Sequence, residues 1–452
     1  MQTRCCSILL GLALVALTSC RTPETKPVDP GLSKFHPVPA PKTAGLVLKP
    51  GDRLAICGDS ITEQKMYSRL MEDYLTMCVP EMGVTVRQYG WGGERASGFL
   101  ARMTNDCLRF QPTIATTCYG MNDHEYRTYE ERIGRTYREK STAIVQAFKA
   151  NGARVIHGSP GCVGKVPGWV KTAQGTVEDL NLNLCNLRNI GIEIARQERV
   201  GFADVFWSML TAGREGQQRY GTNFFIAGGD GVHPDWAGHT VMAYAFLKSL
   251  GLSGEIGTLT VDLRRNTLKA TAGHEPRPVG QGTFTITSSR YPFSTCLDAS
   301  VASPGVKPAY PACEESAGKE TASMRAALAL IPFNQELNRF TLVVKNGHAA
   351  AYRVTWGTAS RSFSAEQLRR GVNLAAEFAQ TPFNDAFARV DAAVAAKQAF
   401  ETKQIKQIFH GAEGKADMEG AVRRTEQERE SLVAAIRAAF VPVTHTLQIV
   451  AE

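Results

Sequence analysis

The stretch Gly58-Asp59-Ser60-Ile61-Thr62 follows the apolar run Leu54-Ala55-Ile56-Cys57 and precedes a helical pattern running from Glu63 to Met77. An apolar strand that ends in small residues before a helix sets a serine hydroxyl at the carboxyl edge of a sheet. There the first helical N–H groups have no intrahelical partner. That is a seat for a nucleophile. Asp and Ser at such a turn are equally ordinary capping residues, so the rest of the chain has to decide between the two readings.

Short apolar, β-branched runs recur at 53–57, 84–89, 113–118, 153–158 and 201–206. Helical stretches at about 63–78, 97–110, 129–150 and 176–198 separate them, and a last amphipathic helix covers 235–250. Strand and helix in alternation predict a parallel sheet wrapped on both faces, with crossovers of one hand. Ligands on such sheets bind outside the carboxyl ends of the strands, and the residues at those ends are unusual. Ser60 follows the first strand and the glycine-rich Tyr89-Gly90-Trp91-Gly92-Gly93-Glu94 the second. Tyr119-Gly120-Met121-Asn122-Asp123 follows the third, and Gly229-Asp230-Gly231-Val232-His233-Pro234 precedes the last helix. Each has an ordinary reading as a turn or cap. Together, on one edge, they supply a nucleophile, oxyanion donors and a base with its orienting acid.

These four blocks, Gly58-Asp59-Ser60, Gly93, Gly120-Met121-Asn122-Asp123 and Asp230-Gly231-Val232-His233, resemble those of SGNH hydrolases of the GDSL esterase superfamily. The resemblance covers less than half the chain and implies a flavodoxin-like three-layer α/β/α domain over residues 51–250. It implies Ser60 as nucleophile, His233 as base and Asp230 as the residue holding the imidazole tautomer. The oxyanion hole would be the backbone N–H groups of Ser60 and Gly93 and the side-chain amide of Asn122. Because Gly92 and Gly93 are adjacent, Gly92 stands as an alternative donor. Asp59 and Asp123 read as structural caps, and His239 as a packing or surface residue of the last helix. His124 is a candidate pocket residue, and Tyr119, Trp91, Trp169 and Trp236 are candidate stacking surfaces or core. Loops at 158–176 and 207–229 would shape access, the second with Arg214, Arg219, Asn223 and Phe224. No Gly-x-Ser-x-Gly pentapeptide is present, which argues against an α/β-hydrolase elbow.

The 452 residues are 43% hydrophobic and 21% charged, a globular composition with room for several domains, and the net charge of +8 is mild over that length. No block of Lys/Arg interleaved with aromatics marks a nucleic-acid groove. Residues 1–19 read as a signal peptide: Arg4 supplies a charged start, Ile8 to Leu17 an apolar core too short to span a bilayer, and Leu17-Thr18-Ser19-Cys20 a small-residue cleavage site. The last four resemble the lipobox of bacterial lipoproteins, which implies acylation of Cys20, a membrane anchor and a place in the bacterial cell envelope. Residues 20–50, rich in proline, read as an extended tether. Of the remaining cysteines, Cys57 and Cys118 lie in strand-like runs and read as buried thiols, whereas Cys296 and Cys313 flank a proline-rich loop and are the best local candidates for a disulfide. No Cys/His spacing suggests a metal, and no cofactor is expected.

Beyond residue 250 the pattern changes. Alternating strands at 258–263, 282–287, 339–345 and 351–357 predict a small antiparallel β region over 251–362, read as a packing or spacer unit before a carbohydrate-binding sandwich. Residues 363–452 predict a helical hairpin, with Phe383, Phe387, Val390 and Val394 on one stripe, and a final strand at 444–450. The four blocks and the resemblance they carry imply a serine esterase, and the family's habit, the expected export and the accessory β region imply one that removes small acyl groups, acetyl foremost, from carbohydrates. The rivals are a lipid esterase, lysophospholipase or thioesterase of the same fold, and a non-catalytic glycan-binding lipoprotein.

Overall fold

The computed structural model describes residues 30–295 and 323–452. The expected signal segment, the expected acylation at Cys20 and the expected pairing of Cys296 with Cys313 lie outside the described residues. The chain up to Pro37 is a unit of its own, with a 3-10 turn at Pro30–Phe35; everything below concerns Val38 onward.

Strands β1 (Arg53–Gly58), β2 (Thr85–Gln88), β3 (Ile114–Cys118), β4 (Arg154–Gly158) and β5 (Gly201–Ala203) form one parallel sheet in the order β2-β1-β3-β4-β5. This is the flavodoxin-like order expected of the fold. β1 and β3 carry apolar runs rather than alternation because helices bury both of their faces. The strand order reverses between β1 and β3, and it is outside the carboxyl ends of strands at such a switch point that sheets of this kind bind ligands. Ser60 follows one of these strands and Asn122 the other.

Helices α1 (Ser60–Glu63), α2 (Tyr67–Met77), α3 (Ala96–Asp106), α4 (Glu131–Ala150), α5 (Val177–Glu198), α6 (Val205–Tyr220) and α7 (Trp236–Ser249) cover the sheet. The single helix expected over 63–78 is broken, because Lys65 turns left-handed at φ 56°. The strand expected over 201–206 stops at Ala203, since Asp204 caps α6 by accepting from the Trp207 N–H at 3.2 Å. The loop expected over 207–229 is therefore largely helix. Gly216 hid it, and that glycine makes room: a Cβ there would meet Phe224 Cε1 at 2.1 Å. The tether is not free past Val38. Asn189 and Arg188 bind the two backbone polar groups of Val38 (3.3 and 3.0 Å), and the Val47 N–H donates to the Leu250 carbonyl at 2.9 Å.

Two further sheets pack face to face. One holds β6 (Glu255–Asp262), β7 (Thr267–Ala270), β10 (Arg339–Lys345) and β13 (Val372–Asn373). The other holds β8 (His274–Gly280), β9 (Thr283–Ser288), β11 (Ala351–Trp356), β12 (Ala359–Ser364) and β14 (Val443–Ala451). Pairing is antiparallel except between β6 and β10. The aromatic residues of the second sheet, Phe284, Tyr352, Trp356 and Phe363, are all buried, and its outer face carries Thr444, Thr446 and Gln448 instead. β14 follows the helices Asn384–Lys403 and Met418–Ala439 and pairs between β9 and β11, so those helices are an excursion between strands of one sheet. Phe383, Phe387, Val390 and Val394 are fully buried, as their stripe predicted. No helix among the described residues is long and apolar enough to cross a membrane. Cys57 and Cys118 are buried free thiols.

A buried hydrogen-bond chain links the sandwich sheets. The Trp356 indole donates to His445 Nδ1 (3.1 Å), His445 Nε2 to Ser288 Oγ (3.0 Å), Ser288 to His274 Nδ1 (2.9 Å) and His274 Nε2 to the Ile256 carbonyl (3.1 Å). An indole can only donate, so His445 is neutral with its ring proton on Nε2, and burial, which lowers His274, leaves that ring's Nδ1 to accept from Ser288. Burial holds His445 down at about 3. An unfolded histidine protonates near 6.5, so below that pH the unfolded chain binds the extra proton and His445 costs stability, by about 2 kcal/mol at pH 5. His445→Gln should therefore take up about one proton fewer on unfolding at pH 5 than the parent, read from the pH slope of urea-unfolding free energy. Equal slopes would count against a neutral His445.

Candidate active site

Gly58 ends β1 where space is tight: a Cβ would meet Thr62 Oγ1 at 2.0 Å and the Cys118 carbonyl at 3.0 Å. The chain then turns at once into α1, whose N-cap Asp59 accepts from the Ile61 N–H at 3.0 Å. Burial pushes the Asp59 carboxyl up to about 7. The cap role expected of Asp59 is thus the observed one, and it leaves Ser60 at the first helical position.

His233 reaches Ser60 from the turn before α7, with Nε2 2.8 Å from Ser60 Oγ, and Nδ1 lies 2.7 Å from Asp230 Oδ2. Asp230 Oδ1 accepts from the Val232 and His233 backbone N–H groups, both at 2.8 Å. A carboxylate only accepts, so Nδ1 carries the ring proton and Nε2 is left to accept from the serine. Burial pushes the Asp230 carboxyl up, but the backbone donors and the imidazole outweigh it and hold it below the usual range. The pair is open to solvent, with His233 25% and Asp230 39% exposed at the side chain.

Opposite stands the turn after β2. Its hydrogen bonds run from the Gly90 N–H to Gln88 Oε1 (2.9 Å), from the Trp91 N–H to the Gly58 carbonyl (3.1 Å) and from the Glu94 N–H to the Trp91 carbonyl (3.2 Å), and use the amide of neither Gly92 nor Gly93. Gly93 is left-handed at φ 71° with open space where a Cβ would stand, whereas a Cβ on Gly92 would meet Glu63 Oε2 at 2.9 Å. Asn122 Nδ2 donates to the Glu94 carbonyl at 3.1 Å, which brings the third block against the second. Asp123 caps α3 by accepting from Ala96 N–H (3.1 Å) and closes its own turn on Gly120 N–H (3.0 Å); burial pushes it up to about 6.

The other candidates separate. His239 is buried: its Nδ1 accepts from Tyr67 N–H (3.3 Å), its Nε2 donates to Gln64 (2.9 Å), and burial lowers it to about 3. His124 is fully buried, bonded to the Met121 carbonyl and lowered by burial to about 4. Tyr119 is core and donates to Glu94 at 3.1 Å. Trp91 packs against His410 (5.0 Å), and Trp236 lies under Arg69 (5.9 Å). Phe224 is buried, while Arg219 and Asn223 are exposed. Trp169, by contrast, is 45% exposed with its ring 5.7 Å from His233, so the 158–176 loop does reach the site. Sequence reasoning missed Tyr126, whose ring meets Trp169 edge-on at 5.9 Å and whose hydroxyl donates to Asn122 Oδ1 at 3.3 Å. Only its spacing of four residues from Asn122 could have pointed to it. Among the described residues no cluster of His, Cys, Asp and Glu could hold a metal ion.

The model of the GDSL-like lipase/acylhydrolase family matches residues 56–241. A search of curated proteins returns no match. Among solved structures, a gut microbial diltiazem-metabolizing enzyme superposes with a TM-score of 0.70 at 22% identity, covering 91% of this chain and 100% of its own. An acetylxylan esterase from Geobacillus stearothermophilus gives 0.38 at 20% identity, covering 46% of this chain and 97% of its own. An alpha/beta hydrolase enzyme from the metagenome of Lake Arreo, Spain, gives 0.36 at 20% identity, covering 46% and 98%. The first likeness extends to the sandwich and the inserted helices as well as the parallel sheet. In residues 56–241 the chain has the GDSL/SGNH hydrolase fold.

Proposed function

We propose that the protein is an exported serine ester hydrolase, anchored in the bacterial cell envelope through an acylated Cys20, that removes small acyl groups, acetyl foremost, from carbohydrates. The observation that carries the reaction is His233 seated between Ser60 at 2.8 Å and Asp230 at 2.7 Å. Ser60 Oγ attacks the ester carbonyl as its proton passes to His233 Nε2, and the negative charge left on the carbonyl oxygen is held by the Ser60 and Gly93 N–H groups and the Asn122 amide. Asp230 stabilises the imidazolium. The imidazolium returns the proton to the leaving alcohol; water, activated the same way, then releases the acid.

The alcohol departs beside His233, since that ring protonates it, and there Trp169 offers an exposed aromatic face. A sugar ring presents C–H groups that stack on such a face. The exposure of His233 and Asp230 favours a bulky alcohol over a long acyl chain, which needs an enclosed apolar groove. A fluorophosphonate probe should add once, on the Ser60 peptide, by mass spectrometry; absence of the adduct overturns the serine mechanism. Acetylated glycans and acetyl esters should turn over faster than octanoyl esters. The reverse order removes the small-acyl assignment.

A further inference from the structure

Tyr126 belongs to a turn held in an unfavourable backbone shape: Glu125 and Tyr126 are consecutive left-handed residues at φ 56° and 53°. Non-glycine residues in that region cost free energy and persist only where surrounding contacts over-determine them. Here the contacts are many. The Glu125 carboxylate takes Arg132 Nη1 and Nη2 (3.0 and 2.7 Å) and Arg95 Nη1 (3.1 Å), with Arg127 Nε at 3.7 Å. Arg132 foremost holds that carboxyl below its usual range. The Asn183 amide donates to the carbonyls of His124 (3.0 Å) and Arg127 (2.9 Å), closing the turn from beneath.

What this clamped turn presents is the Tyr126 hydroxyl, 3.3 Å from Asn122 Oδ1. The Glu94 carbonyl, 3.1 Å from the other end of the amide, can only accept, so that end is the NH2 group and the end facing Tyr126 is the oxygen. One N–H of the amide is thereby fixed on Glu94, and the second is left over.

We infer that Tyr126 is a positioning residue: by donating to Asn122 Oδ1 it fixes the plane of the amide, so that the remaining N–H of Asn122 meets the oxyanion of the transition state. The inference rests on the ester-hydrolase reading above. Because a donor aimed at developing charge acts in the transition state and not on bound substrate, losing its orientation lowers kcat and leaves KM.

Tyr126→Phe, which keeps the edge-on ring contact with Trp169 but gives up the hydroxyl's hydrogen bond with that side chain as well as the one to Asn122, should lower kcat on a small aryl acetate about fivefold to tenfold, with KM within about twofold. Asn122→Ala should cost about 10²- to 10³-fold. The double variant should be no slower than Asn122→Ala, because the hydroxyl has nothing left to orient. Additive losses, an unchanged Tyr126→Phe, or a loss confined to KM overturn the inference. Phenylboronic acid, which adds to a serine and sets an oxygen among the oxyanion donors, gives a readout apart from turnover. Binding lost in Ser60→Ala and weakened in Tyr126→Phe supports the inference; lost in the first but unchanged in the second overturns it alone. Equal binding by Ser60→Ala and the parent overturns the ester-hydrolase reading itself.

Discussion

Asp230→Asn is expected to lower kcat by about 10³- to 10⁴-fold while KM and the unfolding midpoint stay close to those of the parent. The reason is orientation. Asp230 Oδ1 accepts two backbone N–H groups, from Val232 and His233, both at 2.8 Å. In the asparagine variant those donors select the amide oxygen for that position, and the NH2 group must take the place of Oδ2 opposite His233 Nδ1. An NH2 group donates, so Nδ1 becomes the acceptor and the ring proton moves to Nε2. The nitrogen that lies 2.8 Å from Ser60 Oγ then carries a hydrogen and cannot take the serine's proton. Asp230→Ala imposes no tautomer, and with the site open to water it should be the milder of the two. An alanine variant slower than the asparagine variant, measured by kcat on one acetyl ester, would falsify the tautomer argument.

The parallel sheet and the Ser60–His233–Asp230 chain were legible because glycine and small polar residues interrupt apolar strands at the same edge. Local chemistry forces those interruptions: Gly58 has no room for a Cβ against Thr62, and Asp59 caps the helix that follows. Tyr126 gave no comparable signal. Its role comes from a left-handed turn that arginines on α4 and before α3 hold in place, and nothing in a run of mixed polar residues announces φ. Helix α6 was lost for the opposite reason, since its glycine answers a packing need from Phe224, not a backbone turn. The inserted helices are legible as helices from their periodicity, but the burial of their polar residues is not. Lys397, Gln398, Glu401 and Gln404 look like a solvated face, yet all four are buried, against partners roughly three hundred residues earlier in the chain.

That buried polar seam makes Lys397→Met the most damaging single change to stability expected here. The ammonium donates to the Val86 carbonyl (2.5 Å), Glu401 Oε1 (3.0 Å) and Glu72 Oε1 (2.9 Å), so its three protons are used and it joins β2, α2 and its own helix. Burial pushes Glu401 up, but Lys397, Arg429 and Arg87 outweigh it and hold the carboxyl below its ordinary value. Glu72 is raised by burial even with Lys397 beside it, so it is the weaker carboxylate of the pair. Methionine fills the volume and removes the charge. The Val86 carbonyl loses a donor, Glu401 keeps Arg429 Nε at 2.7 Å and Gln88 N–H at 3.1 Å, and Glu72 keeps, among the described residues, the Gln398 amide at 2.8 Å. Breaking one partner out of a buried pair leaves an uncompensated charge, at a typical cost of 3–5 kcal/mol. Because Glu72 can take up a proton instead, about 3 kcal/mol is the expected loss in urea-unfolding free energy at pH 7. The same argument fixes a companion result: Glu72→Gln in the Lys397→Met background should recover part of the loss, since it removes the stranded charge while keeping an acceptor for Gln398. A loss under about 1 kcal/mol, or a double variant weaker than the single, would mean that packing around Lys397 and not its charge holds the helices to the sheet.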